Sequence, residues 1–130
     1  RKKLISGVKS GYLVIMQAKM YVTEKVVKIV TQLLKHFDNA NRGKTTYINT
    51  YRLSKYIAEM SEKQRLVISS KTLREIYKVL TCLTEKLNGW YVKGNHSYVF
   101  ALPHEALSQL SDSELVGMIL RCMEYGNTNE

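Results

Sequence analysis

The sequence predicts a mainly α-helical domain with a small β-hairpin, an α+β fold with additional N- and C-terminal helices. Three observations carry that prediction. Residues 70–87 hold an apolar stripe at helical period, formed by Leu73, Ile76, Leu80, Leu83 and Leu87, and Asn88-Gly89 closes the helix. Two β-rich runs follow, Trp90-Tyr91-Val92-Lys93 and Tyr98-Val99-Phe100-Ala101-Leu102, on either side of Gly94-Asn95-His96-Ser97, which is a hairpin signal. Upstream, Val26, Val27, Val30, Leu33, Leu34 and Phe37 mark a second apolar helix face. At 130 residues and 45% hydrophobic, the chain suits one globular domain with one core.

Each element has a local reason. Residues 1–22 read as a basic N-terminal arm containing Gly7 and Gly11, followed by the apolar run Tyr12 to Met16, a strand or a helix start, with helix favoured because Gln17 to Met20 continue without a breaker. Thr23 is the expected N-cap of the helix that carries Val26 to Phe37, and Asp38 to Gly43 supplies the turn that ends it. Lys44 to Ile48 favours strand but is too short to stand alone, so it needs the hairpin as partner. Asn49 or Thr50 caps the next helix, whose core face is Leu53, Tyr56, Ile57 and Met60. The connector 61–70 holds Leu66, Val67 and Ile68 and is expected to be partly packed. Pro103 stops the second hairpin strand, and His104 to Leu110 reads as a short helix. Ser111-Asp112-Ser113-Glu114 matches a capping box before a last helix faced by Leu115, Val116, Ile119, Leu120 and Met123. The organisation is therefore a flanking segment at 1–22, a central domain at 23–102 and a helical extension at 103–130.

Charge narrows the function. The net charge is +9, and it is unevenly spread. Eight cations face two acids in residues 1–40, eleven face four in 41–98, and one faces five in 99–130. A basic body with an acidic tail suits a polyanionic partner. On the helix at 70–87 the face opposite the stripe carries Lys71, Arg74, Glu75 and Lys78, then Cys82 and Glu85. Cations at a helix N-terminus run against the macrodipole, and an external polyanion would explain them. A solvated face is the plain alternative.

Other classes find little support. Cys82 and Cys122 lie outside any Cys-x-x-Cys spacing, and His36, His96 and His104 do not pair with them at zinc intervals, so no metal or cofactor is expected. Free thiols in a reducing compartment are the expected state, a disulfide the alternative. No apolar run is long enough to cross a membrane. A phosphate loop, a nucleophile–base pair and a set acid pair are all missing, so catalysis is not expected. The chain starts at Arg1 instead of Met, which reads as a trimmed chain or a piece of a larger parent or assembly.

The order helix, short strand, helix, helix, two-stranded hairpin resembles the winged helix-turn-helix superfamily of bacterial and archaeal DNA-binding proteins. The resemblance spans residues 23–102. It rests on Tyr47-Ile48 as first strand, Leu53 to Ala58 as positioning helix, Ser70-Lys71-Thr72-Leu73 opening the recognition helix, and Leu80 to Val92 turning that helix into the wing. The stretch from Met60 to Ser69 is longer than a regular helix-turn-helix turn.

The resemblance implies a cytoplasmic double-stranded DNA-binding protein, a transcriptional regulator, with the 70–87 helix in the major groove and the hairpin as wing. Arg74 is the expected base reader, since guanidinium pairs bidentately with guanine, while Lys71 and Lys78 contact phosphate. Ser70 and Thr72 are further phosphate donors, with helix capping as the alternative role. Lys93, Asn95 and His96 are the wing contacts, and Lys44, Arg52 and Lys55 are secondary phosphate candidates. Tyr56, Tyr77, Trp90 and Phe100 are expected in the core and not as stacking platforms. A homodimer through the C-terminal helix, alone or with residues 12–20, is expected, with packing of that helix onto its own core as the alternative. The rival function is a winged-helix protein-interaction or accessory domain of a replication, repair or transcription assembly.

Overall fold

A computed structural model describes residues 2–128, with side chains described for residue 11 and residues 13–124. The elements are α1 (Lys2–Ala40), β1 (Thr45–Asn49), α2 (Thr50–Gln64), α3 (Ser70–Lys86), β2 (Trp90–Lys93), β3 (Tyr98–Pro103), α4 (His104–Ser108) and α5 (Asp112–Thr128). The fold is mainly helical, with one three-stranded antiparallel sheet of order β1-β3-β2. The lone strand at 45–49 thus finds its partner in β3, with Thr46 opposite Leu102 and Ile48 opposite Phe100.

Helices α1, α3 and α5 pack on one another and the sheet closes one side of the core. Val26, Ile29, Val30 and Leu33 of α1, Ile76, Val79, Leu80 and Leu83 of α3, and Ile119 of α5 are fully buried, together with Ile48, Phe100 and Leu102 from the inner face of the sheet. Leu53, Ile57 and Met60 seat α2 on the same cluster. Side chains of this size each contribute roughly 1.5–3 kcal/mol when buried, so this one cluster dominates the stability.

The helix ends follow their local chemistry. The Asn49 side chain accepts from the Arg52 amide at 2.8 Å and starts α2. The Ser69 hydroxyl accepts from the Thr72 amide at 3.2 Å and starts α3. At α5 the Ser111 hydroxyl accepts from the Glu114 amide at 3.1 Å and the Glu114 carboxylate accepts from the Ser111 amide at 2.9 Å, a reciprocal capping box. Those Ser111 hydrogen bonds hold the Glu114 carboxyl below its ordinary pKa.

Two expectations are corrected. Residues 2–22 do not form a separate arm: α1 runs unbroken from Lys2 to Ala40, and Thr23 lies inside it without capping anything. A helical glycine costs only about 1 kcal/mol against alanine, so Gly7 and Gly11 weaken the segment without ending it. The cysteines are not free thiols. Cys82 and Cys122 form a disulfide with Cα atoms 5.8 Å apart, tying α3 to α5 across 40 residues of chain. Closing a loop of that length is worth roughly 4 kcal/mol in chain entropy. On α5, Leu115 and Ile119 are buried in the chain's own core, Val116 and Met123 are half-buried and Leu120 is exposed.

Candidate nucleic-acid interface

The candidate surface is built on α3. Its core face, Thr72, Ile76, Val79, Leu80, Leu83 and Thr84, is buried, and this orients the remaining positions. Lys71 and Arg74 are exposed on the outer side, with Lys78 half-exposed one turn on. No acidic residue lies in the first turn of α3. Cys82 turns towards α5 through the disulfide, and one Glu75 carboxylate oxygen is enclosed without a hydrogen-bond partner. α5 thus covers the side that carries Cys82, Lys71 borders the groove that also holds Glu75, and Arg74, Lys78 and the exposed Glu85 make up the outward stripe.

An aromatic bridge fixes the hairpin against this helix. The Tyr77 ring of α3 lies 5.2 Å from that of Tyr98 on β3, and Tyr98 stacks on Phe100 at 5.3 Å. Lys93 pairs with Tyr98 across the strands, and its ammonium sits 5.7 Å from the Tyr98 ring. Lys93 thus shares the sheet face that meets α3 at Tyr77. Gly94 to Ser97 make the tip, closed by a Gly94 amide to Ser97 carbonyl bond of 2.8 Å, and Asn95 and His96 are exposed on it.

The junction that sets the pose of the hairpin is tight. The Gly89 amide donates to the Thr84 carbonyl at 2.8 Å after Asn88 takes a left-handed φ of 60°. A Cβ on Gly89 would lie 2.1 Å from the Ala101 carbonyl oxygen. Only glycine lets the helix end come this close to β3.

The connector before α3 is anchored from α1. Lys25 is buried, donates to the Val67 carbonyl and lies 4.2 Å from the Tyr21 ring. This explains how a connector longer than a tight turn still gives α3 a fixed start. Lys25 is a positioning residue that sequence reasoning missed, since nothing in one dimension distinguishes it from the exposed Lys28 beside it. Lys19 was missed in the same way. It shares a groove of about 470 Å³ with Lys71, between α1, α3 and α5.

The other nominated residues are dispersed. Thr72 is buried, with its hydroxyl 3.1 Å from that of Ser69, so capping accounts for it and it is withdrawn as a phosphate contact. Ser70 remains exposed at the α3 start. Arg52 donates to the Tyr47 carbonyl at 3.1 Å and lies 4.9 Å over the Phe37 ring. Arg52 and Lys55 line a groove of about 310 Å³ with His36, Phe37, Tyr51 and Glu59, and no residue of α3 joins them there. Lys44 sits at the Pro103 end of β3, where its carbonyl accepts from the His104 amide at 2.8 Å. That end is roughly 17 Å along the strand from the hairpin tip at about 3.3 Å per residue.

One expectation about the aromatics is also corrected. Phe100 is buried and Tyr56 and Tyr77 are half-buried, but Trp90 is 52% exposed. It lies on the outer face of the sheet beside Tyr47, 50% exposed, with ring centroids 6.1 Å apart. Both residues pair with Ala101, which they cover to 1% exposure. A sheet with helices on one side only leaves its outer positions open.

Among the described residues no group of three or more His, Cys, Asp or Glu side chains could hold a metal ion, and no helix is long and apolar enough to cross a membrane. Comparison with known proteins adds no relative. No family model matches the chain, and no curated protein or solved structure resembles it significantly. The functional reading rests on geometry.

Proposed function

We propose that the protein binds double-stranded DNA as a winged helix-turn-helix, with α3 in the major groove and the β2–β3 hairpin as wing, and acts as a transcriptional regulator. The observation that carries this reading is that α3 presents Lys71, Arg74 and Lys78 away from its buried face, while the Tyr77–Tyr98 contact packs the hairpin that carries Lys93 against the same helix. Element order and strand order β1-β3-β2 support it further, since a helix followed directly by a hairpin is the arrangement that lets one enter a groove while the other reaches the flanking backbone. Arg74 is the base reader, Lys71, Lys78 and Ser70 contact phosphate, and Lys93, Asn95 and His96 contact the backbone beside the groove.

Fluorescence anisotropy of labelled random-sequence duplex, single-stranded DNA and RNA across a salt series tests it. We expect preference for duplex and a log–log salt slope of several units, about −0.9 for each phosphate neutralised. Absence of duplex binding at low salt removes the reading. A protein-contact role is then favoured by the exposed Tyr47–Trp90 pair on the outer face of the sheet.

A further inference from the structure

Helix α1 has two halves with different surroundings. From Val22 to Phe37 its apolar positions pack on the body. The preceding turns do not. Leu13, Val14, Ile15, Met16, Met20 and Tyr21 are 40–61% exposed. Projected at 100° per residue they do not form a stripe: Leu13 and Met20 share one direction, Val14 and Tyr21 a second, Ile15 a third and Met16 a fourth. A surface helix shows one apolar stripe, whereas one that is apolar all round belongs inside something. At 39 residues α1 is about 58 Å long, so the leading half extends well past the residues that bury it.

We infer that this segment is an interface with a second copy of the chain, in which residues 13–21 of two α1 helices pair antiparallel about Gln17. Leu13, Met20, Val14 and Tyr21 flank Gln17 and present on the order of 400 Å² on that side, the size at which an exposed patch marks an interaction site, while Ile15 and Met16 lie off it. Two such faces, with Gln17 between them, come close to roughly 1,000 Å², the lower bound for a specific interface. About Gln17, Leu13 of one copy meets Tyr21 of the other and Val14 meets Met20.

Charge selects the direction. Residues 1–23 carry five cations and no acid, while residues 99–130 carry one cation and five acids. Parallel helices would set the cations of both copies level with one another. Antiparallel helices carry the basic end of each copy towards the other's body, where Glu24 and Glu124 are exposed. The groove at that level has an apolar floor of Val22, Leu120 and Met123 and includes Glu75, whose enclosed carboxylate oxygen has no partner. Lys19 and Lys71 also line this groove and reduce the gain. Lys25 is turned inward onto the Val67 carbonyl, whereas Lys28 and Lys35, exposed opposite the first turns of the other helix, also reduce the gain, Lys35 less so because it is paired with Asp112. The inference does not depend on DNA binding.

Sedimentation velocity and light scattering on the full chain test it. A particle of twice the 15.0 kDa chain mass is expected at micromolar concentration. Leu13→Gln with Met20→Gln should weaken self-association at least about a hundredfold while leaving the urea midpoint of the diluted monomer unchanged, since both side chains are exposed. Orientation is read from cross-links in the oxidised chain, where Cys82 and Cys122 are already paired. Gln17→Cys should couple to itself with a short bismaleimide, and Lys9→Cys should couple to Glu24→Cys and not to itself. A monomer at all concentrations, a dimer indifferent to the double variant, or efficient Lys9→Cys self-coupling would each overturn the proposal. So would partition of a monomer into phosphatidylcholine vesicles that depends on Leu13 and Met20.

Discussion

Two basic regions of this protein look alike in sequence and differ in how the fold holds them. In α2, Arg52 and Lys55 flank a groove with His36 and Phe37, and the Arg52 guanidinium is engaged with a backbone carbonyl and an aromatic face. In α3, Lys71 and Arg74 project from a helix whose opposite side is packed, and the hairpin that carries Lys93 is held against the same helix by Tyr77 and Tyr98. Arginine stacked on a ring contributes packing as much as charge. The comparison teaches that cation content alone does not mark an interface. Both helices have core packing and an N-cap; what distinguishes α3 is that a disulfide and the Tyr77–Tyr98 contact also fix the backbone from which its cations extend.

The largest expected contrast is in binding. Changing Lys71, Arg74 and Lys78 together to Ala should cost about 3–6 kcal/mol of duplex affinity and flatten the salt slope by up to about 2.7. Arg52→Ala with Lys55→Ala should leave duplex affinity within about threefold, each removing at most one weak phosphate contact. Equal losses from the two variants, measured by anisotropy at one salt concentration, would erase the distinction.

The second contrast is mechanical. The disulfide ties α3 to α5, and among the described residues α2 has no such tie. Reduction, or Cys82→Ala with Cys122→Ala, should lower the unfolding free energy by up to about 4 kcal/mol. Urea melts with and without reductant measure this. An unchanged midpoint would mean that the link does not constrain the unfolded chain.

Gly89→Ala comes next. Its Cβ would meet a backbone carbonyl at 2.1 Å, so the helix end or the hairpin must shift. Overpacking of this kind costs about 1–3 kcal/mol, and the displaced wing should also weaken duplex binding while leaving the Arg52 groove intact. Normal stability and binding in Gly89→Ala would show that the junction tolerates movement.

How much of this was legible in sequence differs by element. The α3 stripe and the hairpin could be read because period and turn chemistry are local: Asn88-Gly89 and Gly94-Asn95 stop one element and start another within two residues. The α5 cap was equally local, since Ser111 and Glu114 satisfy each other. In the N-terminal half of α1 the helix at 12–20 was legible from the absence of a breaker, but its continuation through Gly7 and Gly11 was not, because two glycines and basic residues look the same in a loose arm and in a helix. The Cys82–Cys122 bond depends on α5 folding back across α3, which spacing along the chain does not encode. Trp90 was expected in the core, but the side of the sheet it occupies depends on which face the helices cover. The same limit applied to Thr72 and Lys25, whose roles follow from what packs beside them.

The smallest expected effect concerns pH. The Glu114 carboxyl is held below its ordinary pKa by the Ser111 hydrogen bonds, so the folded state binds that proton less readily than the unfolded chain. Its contribution to stability is fully present above the ordinary carboxylate pKa and is lost as pH falls through the lower folded value. Chemical denaturation of the protein and of Glu114→Gln between neutral and strongly acidic pH should therefore converge in acid. A difference that grows on acidification would contradict the capping-box account.

The central claim, that the α3–hairpin face is the one that meets DNA, is tested most directly by backbone amide NMR during titration with a short duplex. The account predicts perturbations concentrated in residues 70–81 and 90–98, with residues 36, 37, 52, 55 and 59 unmoved. Perturbations centred instead on the Arg52 groove, or on Tyr47 and Trp90 alone, would contradict it.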